Sequence, residues 1–197
     1  MKKIGFYGGT FNPMHSAHLI VAKIVKEKMG LDEVIFIPSG QPPHKNNEVL
    51  NSKTRLEMVK LAIANEPQFS VSDIEIRHKR KSYTILTIEE LKKAYPNDQL
   101  FWIIGADSLI EMPTVWRGGW KALDLIPFIV VQRKGFDLSQ IPRRILKKVT
   151  IVEIKTKSLV SSTKIRSMLV KGKSIDFLVP VKIAWFIKKH GLYKKKN

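Results

Sequence analysis

A short apolar run, Ile4 to Tyr7, leads into Gly8-Gly9-Thr10-Phe11-Asn12-Pro13-Met14-His15-Ser16-Ala17-His18 and then into an amphipathic stretch, Leu19 to Met29. A strand, a pair of glycines and a helix in that order restrict the chain to few folds. Glycines at a strand's end permit a tight turn and close backbone approach to a ligand. The first turn of the following helix has N–H groups without intrahelical acceptors and the positive end of the helix dipole, so it favours an anion. His15 and His18, three residues apart, fall on one face of that helix entrance and can reach the same anion. The combination predicts a phosphate site.

Other phosphate and metal patterns are absent. The sequence has no G-x-x-x-x-G-K-[ST] loop and no G-x-G-x-x-G. No cysteine or third histidine lies at metal-ligand spacing from the pair. Histidines stand where P-loop proteins use a lysine.

Strand and helix signals then alternate. Apolar strands are predicted at 3–7, 33–37, 70–76, 99–104, 127–132 and 149–154, and helices at 17–29, 53–65, 85–95, 119–125, 140–147, 163–171 and 181–189. Gly30 occupies a C-terminal cap position, and Ser52 is placed to cap the second helix. Runs such as Val34-Ile35-Phe36-Ile37 and Phe101-Trp102-Ile103-Ile104 suit strands buried on both faces. The expected fold is α/β: one Rossmann-like domain over 1–193, a mainly parallel sheet with helices on both faces, and a basic tail, 194–197. Ligands of such sheets bind beyond the carboxyl ends of the strands. The segment 38–51, rich in Pro, Asn and Gly, is the longest loop, and a loop of that length in a compact domain is usually functional.

Composition limits the classes. With 44% hydrophobic and 26% charged residues, the chain reads as globular rather than disordered. It has no run of about 18 apolar residues to span a membrane, no room for a signal peptide before the first strand, and no cysteine. Disulfides and thiol catalysis are excluded, and a cytoplasmic location is expected. The net charge of +18 is concentrated in residues 139–197, where sixteen Lys or Arg face only Glu153 and Asp176. Such a tract suits a nucleic-acid-binding module, but no nucleic-acid motif accompanies it. Solvated lysine faces that attract phosphate substrates explain it more simply.

The Gly8–His18 stretch resembles the first signature, G-G-T-F-D-P-x-H-x-x-H, of the nucleotidyltransferases that share a fold with class I aminoacyl-tRNA synthetases. Val160-Ser161-Ser162-Thr163-Lys164-Ile165-Arg166 resembles their second, I-S-S-T-x-I-R. Between them lie Ile37-Pro38-Ser39-Gly40-Gln41-Pro42-Pro43-His44-Lys45, Ser82-Tyr83-Thr84 and Gly105-Ala106-Asp107, and the chain closes on His190-Gly191-Leu192-Tyr193. This ordered set, from about residue 3 to 193, resembles the bacterial nicotinate-nucleotide adenylyltransferases.

The resemblance implies transfer of AMP from ATP to the phosphate of nicotinate mononucleotide, with release of pyrophosphate. The attacking phosphate has a second pKa of about 6, so it is largely ionised at neutral pH and needs no general base. The enzyme's task is to position two anions and stabilise charge. His18, His15 and Arg166 are the expected catalytic residues. Gly8, Gly9, Thr10, Phe11, Gly105, Asp107, Arg133, Ser161, Ser162 and Thr163, with His15, His18 and Arg166, are the expected ATP contacts. Asp107 suits the ribose hydroxyls, though an Asp there also suits a helix cap; a plain N-cap is likewise the ordinary role for a Ser-Ser-Thr run. His44, Lys45, Tyr83, Thr84 and Trp116 are expected to hold the mononucleotide, with N–H groups near Thr84 receiving the ring carboxylate. Mg²⁺ is expected, held through ATP phosphates and water.

The sequence departs from the family pattern at Leu86, where an acidic residue is usual, and at Pro113-Thr114-Val115-Trp116, which has one residue more than the usual P-x-W. Either Trp116 or Trp120 would therefore meet the ring. Asn12 replaces the usual Asp and can brace the same turn. Two alternatives share the fold, with phosphopantetheine or nicotinamide mononucleotide as acceptor. A third, the basic nucleic-acid-binding module, belongs to another class. Oligomeric state is left open.

Overall fold

The computed structural model, which describes residues 1–43, 49–133, 135, 137–154 and 160–194, is organised around six strands. They are β1 (Lys3–Gly9), β2 (Glu33–Pro38), β3 (Phe69–Val71), β4 (Gln99–Gly105), β5 (Phe128–Arg133) and β6 (Val149–Ile154). They form one sheet in the order β3-β2-β1-β4-β5-β6, and every pairing is parallel. The helices are α1 (Ser16–Met29), α2 (Ser52–Ile63), α3 (Thr84–Ala94), α4 (Ala106–Val115), α5 (Arg143–Leu146), α6 (Ser162–Val170) and α7 (Val181–Lys189).

Residues that alternate along a strand go to opposite faces. Val34 and Phe36 of β2, Ile103 of β4 and Ile129 of β5 pack with Val21 of α1, Met58 of α2, Ile165 of α6 and Ile183 of α7. Their neighbours Ile35, Ile37, Trp102, Ile104 and Phe128 pack on the other face with Ile88 of α3 and Leu109 of α4. Both faces are covered, which is why these strands read as continuous apolar runs. No helix among the described residues is long and apolar enough to cross a membrane.

The expected elements need local corrections. The third strand is Phe69–Val71 rather than 70–76. It pairs only with β2, and beyond it the chain turns out of the sheet, with Ile76 N–H donating to Asp73 O at 2.8 Å. Buried Ile74 sits in that turn and had extended the apolar pattern. The helix α4 was not foreseen, because Pro113 falls inside it and argues against a helix from sequence. The predicted helix at 119–125 is a 3₁₀ turn, Gly119–Asp124, and that at 140–147 shortens to Arg143–Leu146 behind Pro142. The cap of α2 is Asn51, whose Oδ1 accepts from Thr54 N–H at 2.8 Å, rather than Ser52. Gly30 caps α1 with φ 59°, as expected.

The chain leaves β1 through α1 to β2 on one side and later enters β4 on the other. This switch point separates the connections and opens a crevice at the carboxyl ends of β1 and β4.

Candidate active site

A cavity of about 450 Å³ occupies that crevice. Gly8, Gly9, Thr10, Phe11, His15 and His18 line it from β1 and the start of α1, and Gly105, Asp107 and Arg133 from the ends of β4 and β5. Tyr83, Thr84 and Trp116 line it from the α3 and α4 side, and Ser161 and Ser162 from the start of α6. Fourteen expected site residues from five separate segments thus share one cavity. Thr163 and Arg166 are not part of its lining. His44 and Lys45 lie outside the described residues.

The glycine pair works differently from the turn expected of it. Gly8 and Gly9 belong to β1 itself, and neither has positive φ. A Cβ on Gly8 would stand 2.6 Å from the Trp102 ring, and one on Gly9 would stand 2.8 Å from the Phe11 ring. The glycines make room for two aromatic rings. The left-handed residue is Phe11 (φ 48°), and the Asn12–Pro13 peptide that follows is cis. Phe11 is 3% exposed and meets His18 edge-on at 5.0 Å between centroids.

His15 is buried at the N-cap of α1, and His18 is in the first turn. Their rings stack at 3.6 Å with an interplanar angle of 19°. Burial, reinforced by the Arg133 guanidinium, lowers His15 to about 4, so it is neutral at pH 7.

The second signature braces the first. Ser162 Oγ donates to Pro13 O at 2.9 Å, and Arg166 donates through Nη1 to Asn12 O at 2.9 Å. Ser161 Oγ caps α6 by accepting from Lys164 N–H at 3.2 Å, the ordinary N-cap role. Asn12 Oδ1 accepts from Tyr193 Oη at 2.7 Å and from Leu50 N–H at 3.3 Å. Both bonds use an acceptor oxygen, which Asn and Asp both carry. Burial raises the Tyr193 phenol, so it stays protonated and keeps donating.

At β4, a Cβ on Gly105 would stand 2.2 Å from Asp107 Oδ1. The glycine leaves space for this carboxylate, which sits in the first turn of α4. Trp116 caps the end of α4 and lines the cavity. Trp116 and Trp120 both pack, half-buried, against the core, and Trp120 Nε1 is buried without a partner among the described residues. Of these two, Trp116 is the one that lines the cavity, which Trp102 also lines from β4. Leu86 is half-buried and does not line it.

Three residues of the site's frame had no sequence signal of their own. Arg117 lines the cavity and lies 5.0 Å over the Tyr83 ring. Glu75 lines it while 8% exposed. Arg55, 1% exposed, donates to Thr10 O (2.8 Å), Ser39 O (2.6 Å), Gly40 O (3.0 Å) and Leu50 O (2.9 Å). Burial lowers it to about 10, leaving it charged at neutral pH. A charged residue on a helix reads as a solvated one until its neighbours are known.

Comparison with known proteins agrees with this geometry. The model of the cytidylyltransferase-like family matches residues 6–168. Nicotinate-nucleotide adenylyltransferase of Bacillus subtilis (strain 168) is 43% identical over 195 residues, covering 98% of this chain and all of that protein. A probable nicotinate-nucleotide adenylyltransferase of Clostridium tetani is 40% identical over 202 residues, again 98% of this chain and all of that one. Plasmodium falciparum nicotinic acid mononucleotide adenylyltransferase, solved in complex with NaAD, superposes with a TM-score of 0.84 over 98% of both chains at 24% identity, which establishes likeness of fold. The chain belongs to the cytidylyltransferase-like family and, within it, to the nicotinate-nucleotide adenylyltransferases.

Proposed function

We propose that this protein transfers the adenylyl group of ATP to nicotinate mononucleotide, forming nicotinate adenine dinucleotide and pyrophosphate, a step of NAD synthesis in the cytoplasm. The observation that carries the reading is full-length identity of 43% to the Bacillus subtilis enzyme of that name. The cavity at the strand switch point supports it, with histidines, a helix start and an arginine around one crevice.

The mononucleotide phosphate attacks the α-phosphorus of ATP, the bond to the bridging oxygen breaks, and pyrophosphate leaves with the electron pair. ATP enters as its Mg²⁺ complex, with the ion held by phosphate oxygens and water. His18 donates to the α-phosphate as charge develops, and neutral His15 adds a donor beside it without the repulsion of two stacked imidazoliums. The first-turn N–H groups of α6, with Ser161 and Ser162, receive the outer phosphates. Thr163 and Arg166 contribute from outside the present lining, with Arg166 also holding the Asn12 turn. Gly8, Gly9, Thr10 and Phe11 shape the bed, Asp107 takes the ribose hydroxyls, and Arg133 faces the phosphates.

For the acceptor, Tyr83 and Trp116 enclose the pyridine ring. The N–H groups at the start of α3, near Thr84, receive its carboxylate, and His44 and Lys45 receive the mononucleotide phosphate.

Pyrophosphate release tests the reading, measured with ATP and, in turn, nicotinate mononucleotide, nicotinamide mononucleotide and phosphopantetheine. Turnover with the first is expected. Its absence, or faster turnover with phosphopantetheine, overturns the assignment.

A further inference from the structure

Two buried residues of opposite charge, neither in a signature, pack on one glycine. Arg55 donates to Gly40 O from below the loop after β2, while also holding Thr10 O of the loop after β1. Gly40 is buried and packs so closely on Glu75 that a Cβ there would stand 2.2 Å from Glu75 O.

The Glu75 side chain completes the link. Its Oε1 accepts from Thr87 Oγ1 of α3 at 2.8 Å. The Ser82 side chain and the Gly40 backbone lie beside its carboxylate and favour its charged form. Ser82 Oγ accepts from Gly40 N–H at 2.8 Å and from Gln41 N–H at 3.3 Å, while Ser82 N–H donates to Gln41 O at 2.9 Å. Glu75 therefore joins the loop after β2, packed on its backbone at Gly40, to α3 through Thr87. The charged groups near it are Arg55 and Arg80.

We propose that Glu75 is a positioning residue for the acceptor half of the site, fixing the start of α3 against the loop at Gly40 so that the N–H groups there match a ring carboxylate. The proposal rests on the adenylyl-transfer reading above. The loop after β1 is held by Arg55 at Thr10 O, a bond that Glu75 does not make, so the ATP side keeps that support when Glu75 is altered.

The test compares the unaltered chain with E75A, E75Q and T87V, each assayed with ATP and either nicotinate or nicotinamide mononucleotide. E75A is expected to raise KM for nicotinate mononucleotide by about 10-fold or more and to lower the acid-over-amide ratio of kcat/KM by roughly fivefold, because misplaced donors lose the carboxylate selectively. KM for ATP should stay within about twofold, since the donors expected around ATP do not depend on Glu75. E75Q keeps one acceptor oxygen and should fall between the two. T87V removes one hydroxyl at constant shape, so it decides the matter if E75A fails to fold, with an expected loss of about threefold in the ratio. An unchanged ratio in E75Q and T87V, or KM for both substrates rising together, overturns the proposal while the unaltered chain still turns over. No turnover by the unaltered chain with nicotinate mononucleotide overturns the functional reading, and the proposal with it.

Discussion

His15 N–H donates to His18 Nδ1 at 3.2 Å, and the two imidazoles stack face to face at 3.6 Å. A nitrogen that accepts carries no proton, so neutral His18 holds its proton on Nε2 and acts as a donor there. Phe11 and Tyr7 pack edge-on against the same ring at 5.0 and 6.1 Å, holding its plane. The His-x-x-His spacing thus sets the tautomer and orientation of one imidazole by means of the other.

His18→Ala should lower kcat by about 10²–10³-fold, the scale for losing one preorganised donor at developing charge. Its cost to folding should be near 1 kcal/mol, for the lost acceptor of the His15 N–H. Single-turnover rates and urea midpoints measured on the same preparation check both figures. Wild-type kcat in this variant would make the histidine pair structural.

The lowered His15 pKa makes stability depend on pH with a definite sign. Between about 4 and 6.5 the unfolded chain binds a proton at His15 that the folded chain does not. His15 therefore removes stability as pH falls through that window, by at most roughly 3 kcal/mol. Glu75, raised by burial, acts in the opposite sense. The difference between wild type and His15→Asn isolates the histidine. Melting temperatures from pH 7 down to pH 4 should fall more steeply for wild type, and parallel curves would contradict the assignment.

Arg55→Met should destabilise the fold by about 3 kcal/mol or more, because several carbonyls lose their donor in a buried place. Arg55→Lys should recover only part of this, since an ammonium cannot reproduce the fork that serves Thr10, Ser39, Gly40 and Leu50. Urea midpoints of the three proteins decide it.

The two tryptophans should separate. Trp116→Ala should raise KM for the mononucleotide by about 10-fold, the loss of one aromatic stacking face. Trp120→Ala should leave that KM within about twofold while costing stability, as for a large residue removed from packing. Reversed outcomes would move the ring contact to Trp120.

Gly105→Ala should act through Asp107. The added methyl occupies the carboxylate's place, 2.2 Å from Oδ1. If Asp107 holds the ribose, KM for ATP should rise by about 10-fold, on the scale of one lost charge-assisted hydrogen bond. An unchanged KM would mean that Asp107 serves only the start of α4.

Much of the molecule is written locally in the chain. The apolar runs of β2, β4 and β5, the cap at Gly30 and the order of strands and helices follow from side-chain period and backbone preference, which act over a few residues. For the same reason the glycine–histidine signature between β1 and α1 is legible before any fold is known. The unforeseen features depend on what lies across the sheet. Tyr193 reaches Asn12 over 181 positions, Arg166 reaches it over 154, and Ser162 reaches Pro13 over 149. Arg55 and Glu75 meet at Gly40 because β1, β2 and β3 are neighbours in the sheet. The burial of a charge, the space left by Gly8 for Trp102, and the placement of Trp116 but not Trp120 in the cavity lining are set by packing between distant segments. Residue types determine which chemistry is present; the parallel sheet and its switch point determine which of those residues share one cavity.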